Sequence, residues 1–258
     1  MVFPLCKGRQ NQTSERKIAV TTTLLAEIVR ELSREEIKTV QIIPPGSCPE
    51  HFDISPDILV TLRESKVCIA HDFQGHMGEL LSKKTGIKVF YVAMPYGLAT
   101  PSSFAHALQE TAPLLKKLYP ELTKTVDDGL IEAMAKSVEL EKEAKVMGSD
   151  LRGRKAFASI HQKNFCEWLG IEVVATFSRS ESVTPDEIEK LIAKGRAERI
   201  SAIVANFQEG VQYPQMLSEK LGVPLIVLSN FPGAYKDELS FRALVLGNVK
   251  RLIDGLDR

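Results

Sequence analysis

The sequence carries no surplus of either charge: 33 Lys and Arg stand against 33 Asp and Glu in 258 residues, a formal net charge of zero. Binding to a phosphate backbone would show as an excess of Lys and Arg, so no nucleic-acid partner is expected. Long apolar runs are also missing. No stretch reaches the roughly 18 apolar residues that a bilayer-spanning helix needs. Cysteine is scarce: Cys6, Cys48, Cys68 and Cys166 lie far apart and form no CxxC pair, which argues against a zinc ribbon or a thioredoxin-like dithiol. Cys68 and Cys166 sit in apolar stretches and read as core residues. There is no Gly-rich phosphate loop, no G-x-S-x-G elbow and no H-E-x-x-H pair.

What is present is an ordinary globular composition, 44% hydrophobic and 26% charged. The length suits one large α/β unit or two lobes of about a hundred residues each. Met1 to Lys7 is too short for a signal peptide. Cys6, followed by the polar stretch Lys7 to Lys17, would suit a lipid-anchored cysteine on a flexible tether, although Leu5 precedes it where a small residue is usual. Residues 1–16 are therefore expected to be a disordered tail or a tether.

From residue 17 onward short β-rich runs alternate with helical patterns, the signature of βα repeats and parallel sheets. Strands are expected at Ile18 to Val20, Thr39 to Ile43, Val67 to Ala70 and Lys88 to Val92. A second set follows at Ala156 to Ile160, Val173 to Phe177, Ala202 to Val204 and Leu225 to Leu228. Ser55-Pro56 opens a helix. Thr184 with Glu187 forms a capping box, Gly195 is expected to close that helix, and Gly222 to end the next. Pro120 to Met147 shows no strand signal, and Val126, Leu130, Met134 and Val138, with Ile131 and Ala135 beside them, predict the buried stripe of one long helix. The expected fold class is α/β, with an amino-terminal lobe over 17–118, a linking helix over 119–150 and a carboxy-terminal lobe over 151–258.

In open parallel sheets ligands sit beyond the carboxyl ends of the strands. The loops there hold the unusual residues: Pro44 to Asp53 with Cys48, Glu50 and His51; His71 to His76; Met94-Pro95-Tyr96; His161; Ser229-Asn230. Four of the five histidines lie just past strand ends, and imidazoles from separate loops can close a metal site. A single histidine in such a place is more often a hydrogen-bonded loop or capping residue; four together weaken that explanation. His106 sits mid-helix and is assigned no role.

These residues resemble the metal-binding receptors of zinc and manganese ABC importers, two α/β lobes joined by one long helix, over nearly the whole chain from Lys17. Pro49-Glu50-His51-Phe52-Asp53 with Ser55-Pro56 is similar to that family's first ligand loop, with Glu50 at the usual histidine position and His51 one residue on. Ser159-Ile160-His161-Gln162-Lys163-Asn164-Phe165 is similar to its third. Met94-Pro95-Tyr96 departs from the Asp-Pro-His expected for the second, and Asn230, with Asn206 after the preceding strand, stands where an acidic ligand is usual. The resemblance implies an extracytoplasmic solute-binding receptor, not an enzyme, that takes a transition-metal ion as transported ligand, zinc first, and delivers it to an ABC permease. It implies a periplasmic or membrane-tethered monomer. Candidate metal ligands are His51, His71, His76, His161 and Cys48. Three rivals stand beside this reading: a receptor of the same fold for a metal chelate or other small ligand; a hydrolase, either metal-dependent or using Cys48 with His161; and a structural or regulatory module that has kept the two-lobed frame and lost its ligand.

Overall fold

A computed structural model of the protein describes residues 16–178 and 184–257. The expected tail, with Cys6, lies outside the described residues apart from Arg16. Strands β1 (Lys17–Val20), β2 (Lys38–Gln41), β3 (Cys68–His71) and β4 (Val89–Val92) form a sheet in the order β2-β1-β3-β4. Strands β5 (Lys155–Ser159), β6 (Glu172–Phe177), β7 (Ala202–Asn206) and β8 (Leu225–Leu228) form another in the order β6-β5-β7-β8. Every pairing is parallel. Parallel neighbours need crossovers, and helices supply them. These are α1 (Thr23–Ser33), α2 (Pro56–Arg63) and α3 (Gly75–Thr85) in the first lobe, then α6 (Lys163–Trp168), α7 (Pro185–Glu198) and α8 (Gln212–Leu221) in the second, while α4 (Pro101–Leu118) follows β4 and α9 (Phe241–Leu256) follows β8. The long α5 (Thr123–Met147) joins the two. In each sheet the chain winds one way from its first strand and then the other, so a switch point opens between β1 and β3 and again between β5 and β7.

Local signals hold with two corrections. Thr184 and Glu187 make the reciprocal capping box, and Gly222 ends α8 in the left-handed region at φ 68°. Gly195, however, does not close its helix: α7 runs on to Glu198 and ends at Arg199, which takes φ 52°. Gly195 is instead buried against Leu221 and Phe157, where a Cβ would lie 3.0 Å and 3.2 Å from their side chains.

The larger correction concerns α5. Its buried residues are Val126, Gly129, Ala133, Ser137, Leu140 and Ala144, a face of mostly small side chains. Ile131 is 72% exposed and Val138 68%. A strict four-residue spacing drifts about 40° per step around an α-helix, so Val126 and Val138 cannot share one face. The face that does pack is chosen by closeness: a Cβ on Gly129 would lie 2.5 Å from the Leu32 carbonyl oxygen and 2.7 Å from that of Glu31. Only small residues let α5 approach α1 so nearly.

The lobes are joined by more than a hinge. One apolar core runs through both and along α5. Phe104 of α4 stacks on Phe241 of α9 with ring centroids 4.1 Å apart. The Phe241 backbone N–H donates to Glu27 Oε1 at 3.3 Å, while Arg30 bonds the other carboxylate oxygen. Burial raises the Glu27 pKa, with the Arg30 charge opposing it.

Candidate functional site

Residues that follow the strands of the two lobes meet across the molecule. The loop after β2 reaches the second lobe, where the Gln208 amide donates to the Pro45 carbonyl at 2.7 Å and Gly46 faces the Phe207 ring. His71, at the end of β3, lies 6.2 Å from the Phe231 ring beyond β8.

Further along the same loop, Pro49–His51 forms a single 3-10 turn with the chain stiffened by Pro44, Pro45 and Pro49. The turn folds Cys48 back so that its Sγ lies 3.5 Å from His51 Nδ1. One donor atom each from Cys48, Glu50 and His51 lies within 4.8 Å of the others. Among the described residues this is the one group of three or more His, Cys, Asp or Glu side chains so close together. Cys48 is half-buried, whereas Glu50 and His51 are exposed, so the group is open to an arriving ion.

The other sequence-predicted ligands lie elsewhere. His71 is fully buried at the switch point between β1 and β3. Its Nε2 shares a 2.9 Å hydrogen bond with Thr22 Oγ1, its ring stacks on Phe73 at 5.2 Å, and burial pushes its pKa down to about 3. Its neighbour Gln74 accepts from Thr21 Oγ1 at 2.6 Å and from the His71 backbone N–H at 2.9 Å. His76 is exposed on the first turn of α3. His161, just beyond β5, is half-buried, with Nε2 3.6 Å from Glu209 Oε1. Among the described residues no three of these imidazoles come within 4.8 Å of one another, and His71 bonds β3 to the start of α1. Cys68 and Cys166 are buried thiols held up to about 12 by desolvation, which suits core residues and not metal thiolates.

Beyond the carboxyl ends of β5, β7 and β8 lies a network of amides. Gln162 donates from Nε2 to Asn206 Oδ1 and Asn230 Oδ1, both at 3.1 Å, and Asn230 Nδ2 donates to the His161 carbonyl at 3.5 Å. Tyr96 is 57% exposed at the end of the first lobe. Sequence reasoning missed Gln162, Gln208 and above all Glu209. Glu209 sits three residues past β7, where the same rule that drew attention to the other strand ends could have found it; the reading stopped at Asn206.

Comparison with known proteins agrees with this architecture. The family model described as ZnuA, "Zinc-uptake complex component A periplasmic", matches residues 18–255. No curated protein sequence matches the chain. Among solved structures, a zinc-bound deletion mutant of ZnuA superposes with a TM-score of 0.80 at 13% identity, covering 93% of this chain and 97% of that one. A manganese-bound periplasmic metal binding protein from Candidatus Liberibacter asiaticus superposes at 0.78 and 12% identity, covering 93% and 99%.

Proposed function

The chain belongs to the ZnuA family, the periplasmic component A of zinc-uptake complexes, and from that premise we propose that it is an extracytoplasmic receptor that captures a transition-metal ion for delivery to an ABC permease. Zinc is the favoured ion. The observation that carries the reading is the Cys48, Glu50 and His51 group on a loop whose base touches the opposite lobe. Thiolate, imidazole and carboxylate together match the preferences of zinc, and three of them leave one tetrahedral position for a fourth donor. Water is the donor we assign to that position.

We read the arrangement as a binding one. Cys48 has His51 beside it, not the His161 that a cysteine hydrolase would use. The ion reaches an exposed group, which allows loading and release without breaking the apolar core behind it.

The test is titration of chelator-stripped protein with zinc, following the melting temperature. A ligand bound only by the folded state must raise it, by about 2.7 kcal/mol of stability at a hundredfold excess over Kd. The wild type should show the rise and a Cys48→Ser/His51→Ala double variant should lose most of it. If zinc, manganese, iron and copper all leave the wild type unchanged, the receptor reading falls.

A further inference from the structure

We propose that Gln208, on the carboxy-terminal lobe, is the positioning residue that sets how tightly the Cys48 group on the amino-terminal lobe holds its ion. This rests on the reading of that group as the metal site, and it assigns the group's affinity to a side chain that bonds to none of its three donors.

Gln208 lies in the short 3-10 turn Phe207–Glu209 that follows β7, and only 6% of it is exposed. Its amide is fully committed. Nε2 donates to the Pro45 carbonyl at 2.7 Å and to Ser229 Oγ at 2.9 Å, while Oε1 accepts from the Asn230 backbone N–H at 3.4 Å. That N–H needs an acceptor, so the amide cannot be turned over without setting its oxygen against the Pro45 carbonyl. Ser229 and Asn230 lie just past β8, so the loop after β8 braces the side chain that reaches across to the first lobe. A buried donor oriented in advance loses little freedom in holding its acceptor.

Pro45 stands just ahead of the donors. On one side Ile42 and Ile43 hang on β1 through backbone bonds to Val20 and Thr21; on the other Phe52 and Ile54 pack on the apolar cluster of Leu62 and Met77. Residues 44–51 between these anchors carry Cys48, Glu50 and His51. Among the described residues the bond from Gln208 is the one hydrogen bond that fastens this stretch to the rest of the molecule. Pro44 and Pro45 have fixed φ, and the Ser47 N–H closes a turn on the Pro44 carbonyl at 3.0 Å, so a hold at Pro45 reaches Cys48 through one closed turn. The second lobe shapes the same seat from either side. A Cβ on Gly46 would lie 3.4 Å from the Phe207 ring, and one on Gly233 would lie 3.5 Å from the Pro45 ring. Phe207 in turn packs on Tyr235 with ring centroids 5.1 Å apart. Released from Gln208, the stretch would sample other shapes and the ion would have to order it; held, its donors are already near one another when the ion arrives.

The experiment measures the zinc affinity of the full chain by competition with a chromogenic chelator, for wild type, Gln208→Met and Leu140→Ala. Methionine keeps the length of glutamine and deletes the amide's bonds. Gln208→Met should bind zinc about 10-fold more weakly, the size of effect that losing an outer hydrogen-bond partner has at a metal site. Leu140→Ala lowers stability from α5 and should leave zinc affinity unchanged, so general softening of the fold is told apart from release of the loop. A second readout needs no metal. In a Cys6→Ser background iodoacetamide should alkylate Cys48 several-fold faster in Gln208→Met than in the parent, while the buried Cys68 and Cys166 stay protected. Should Gln208→Met fail to fold, Gly46→Ile takes its place: it crowds Phe207 from an exposed position on the loop, leaves the bonds to Ser229 and Asn230 intact, and carries the same two expectations. Equal zinc affinity in wild type and variant overturns the proposal and leaves the receptor reading standing. An equal loss in Leu140→Ala, or an unchanged alkylation rate, overturns it too. Wild type that takes no zinc removes both.

Discussion

Replacing Gly129 by alanine tests the packing of α5 against α1, and the expected sign is opposite to what helix propensity alone gives. In an exposed helix interior the change stabilises by about 1 kcal/mol. Here the new methyl would lie 2.5 Å from Leu32 O and 2.7 Å from Glu31 O. Both obstacles are backbone atoms of a buried helix and cannot swing aside as the end of a flexible side chain can. The two helices must separate, loosening Ala133, Ser137 and Leu140 on the same face, and overpacking of this kind costs about 1–3 kcal/mol. With the propensity gain deducted from the upper part of that range, the net loss is about 2 kcal/mol. For a chain of this size that lowers Tm by roughly 4–8 °C. Gly75→Ala is the internal control, because it opens α3 at φ −50° and a Cβ there meets nothing within 4 Å; it should be neutral or slightly stabilising. Calorimetry of both variants decides the matter. A Gly129→Ala protein that melts at or above the wild-type temperature would refute the close-approach argument.

His71 should make the fold acid-sensitive. Its folded pKa of about 3 lies below the usual 6.5, so the unfolded chain takes up a proton that the folded chain refuses. The contribution is fully present above pH 6.5 and is lost as pH falls toward 3, by up to about 1.4 kcal/mol per unit. Urea melts at pH 7, 6, 5 and 4 should show a shallower decline in His71→Gln than in the wild type, and parallel declines would count against the buried neutral imidazole. On α5, Leu140→Ala should cost about 2–5 kcal/mol as a core truncation. Val138→Lys on the exposed face should stay within about 0.5 kcal/mol. Reversal of that order in chemical denaturation would restore the stripe expected from four-residue spacing.

The two-lobed α/β frame was legible because strand and helix leave different periods in the chain, and caps such as Thr184 with Glu187 mark ends through bonds only three residues long. Cys48, Glu50 and His51 could be picked out for a related reason: three donors within four residues on a proline-stiffened loop are brought together by local geometry. Glu209 was not legible. Its partners Ser159 and His161 lie together about fifty positions earlier in the chain, and nothing in its own surroundings shows that it is buried.

By itself, then, the sequence determined everything that depends on short-range backbone chemistry: the alternation of elements, most of their ends, the donor loop after β2 and the core character of Cys68 and Cys166. Tertiary structure alone decided which face of α5 is buried, because the approach of Leu32 to Gly129 is a meeting of residues about a hundred positions apart. It also decided that His71 is buried against Thr22 and that Glu209 meets Ser159 and His161. Burial and partnership are properties of the space a side chain enters, and that space is walled by residues distant in the chain.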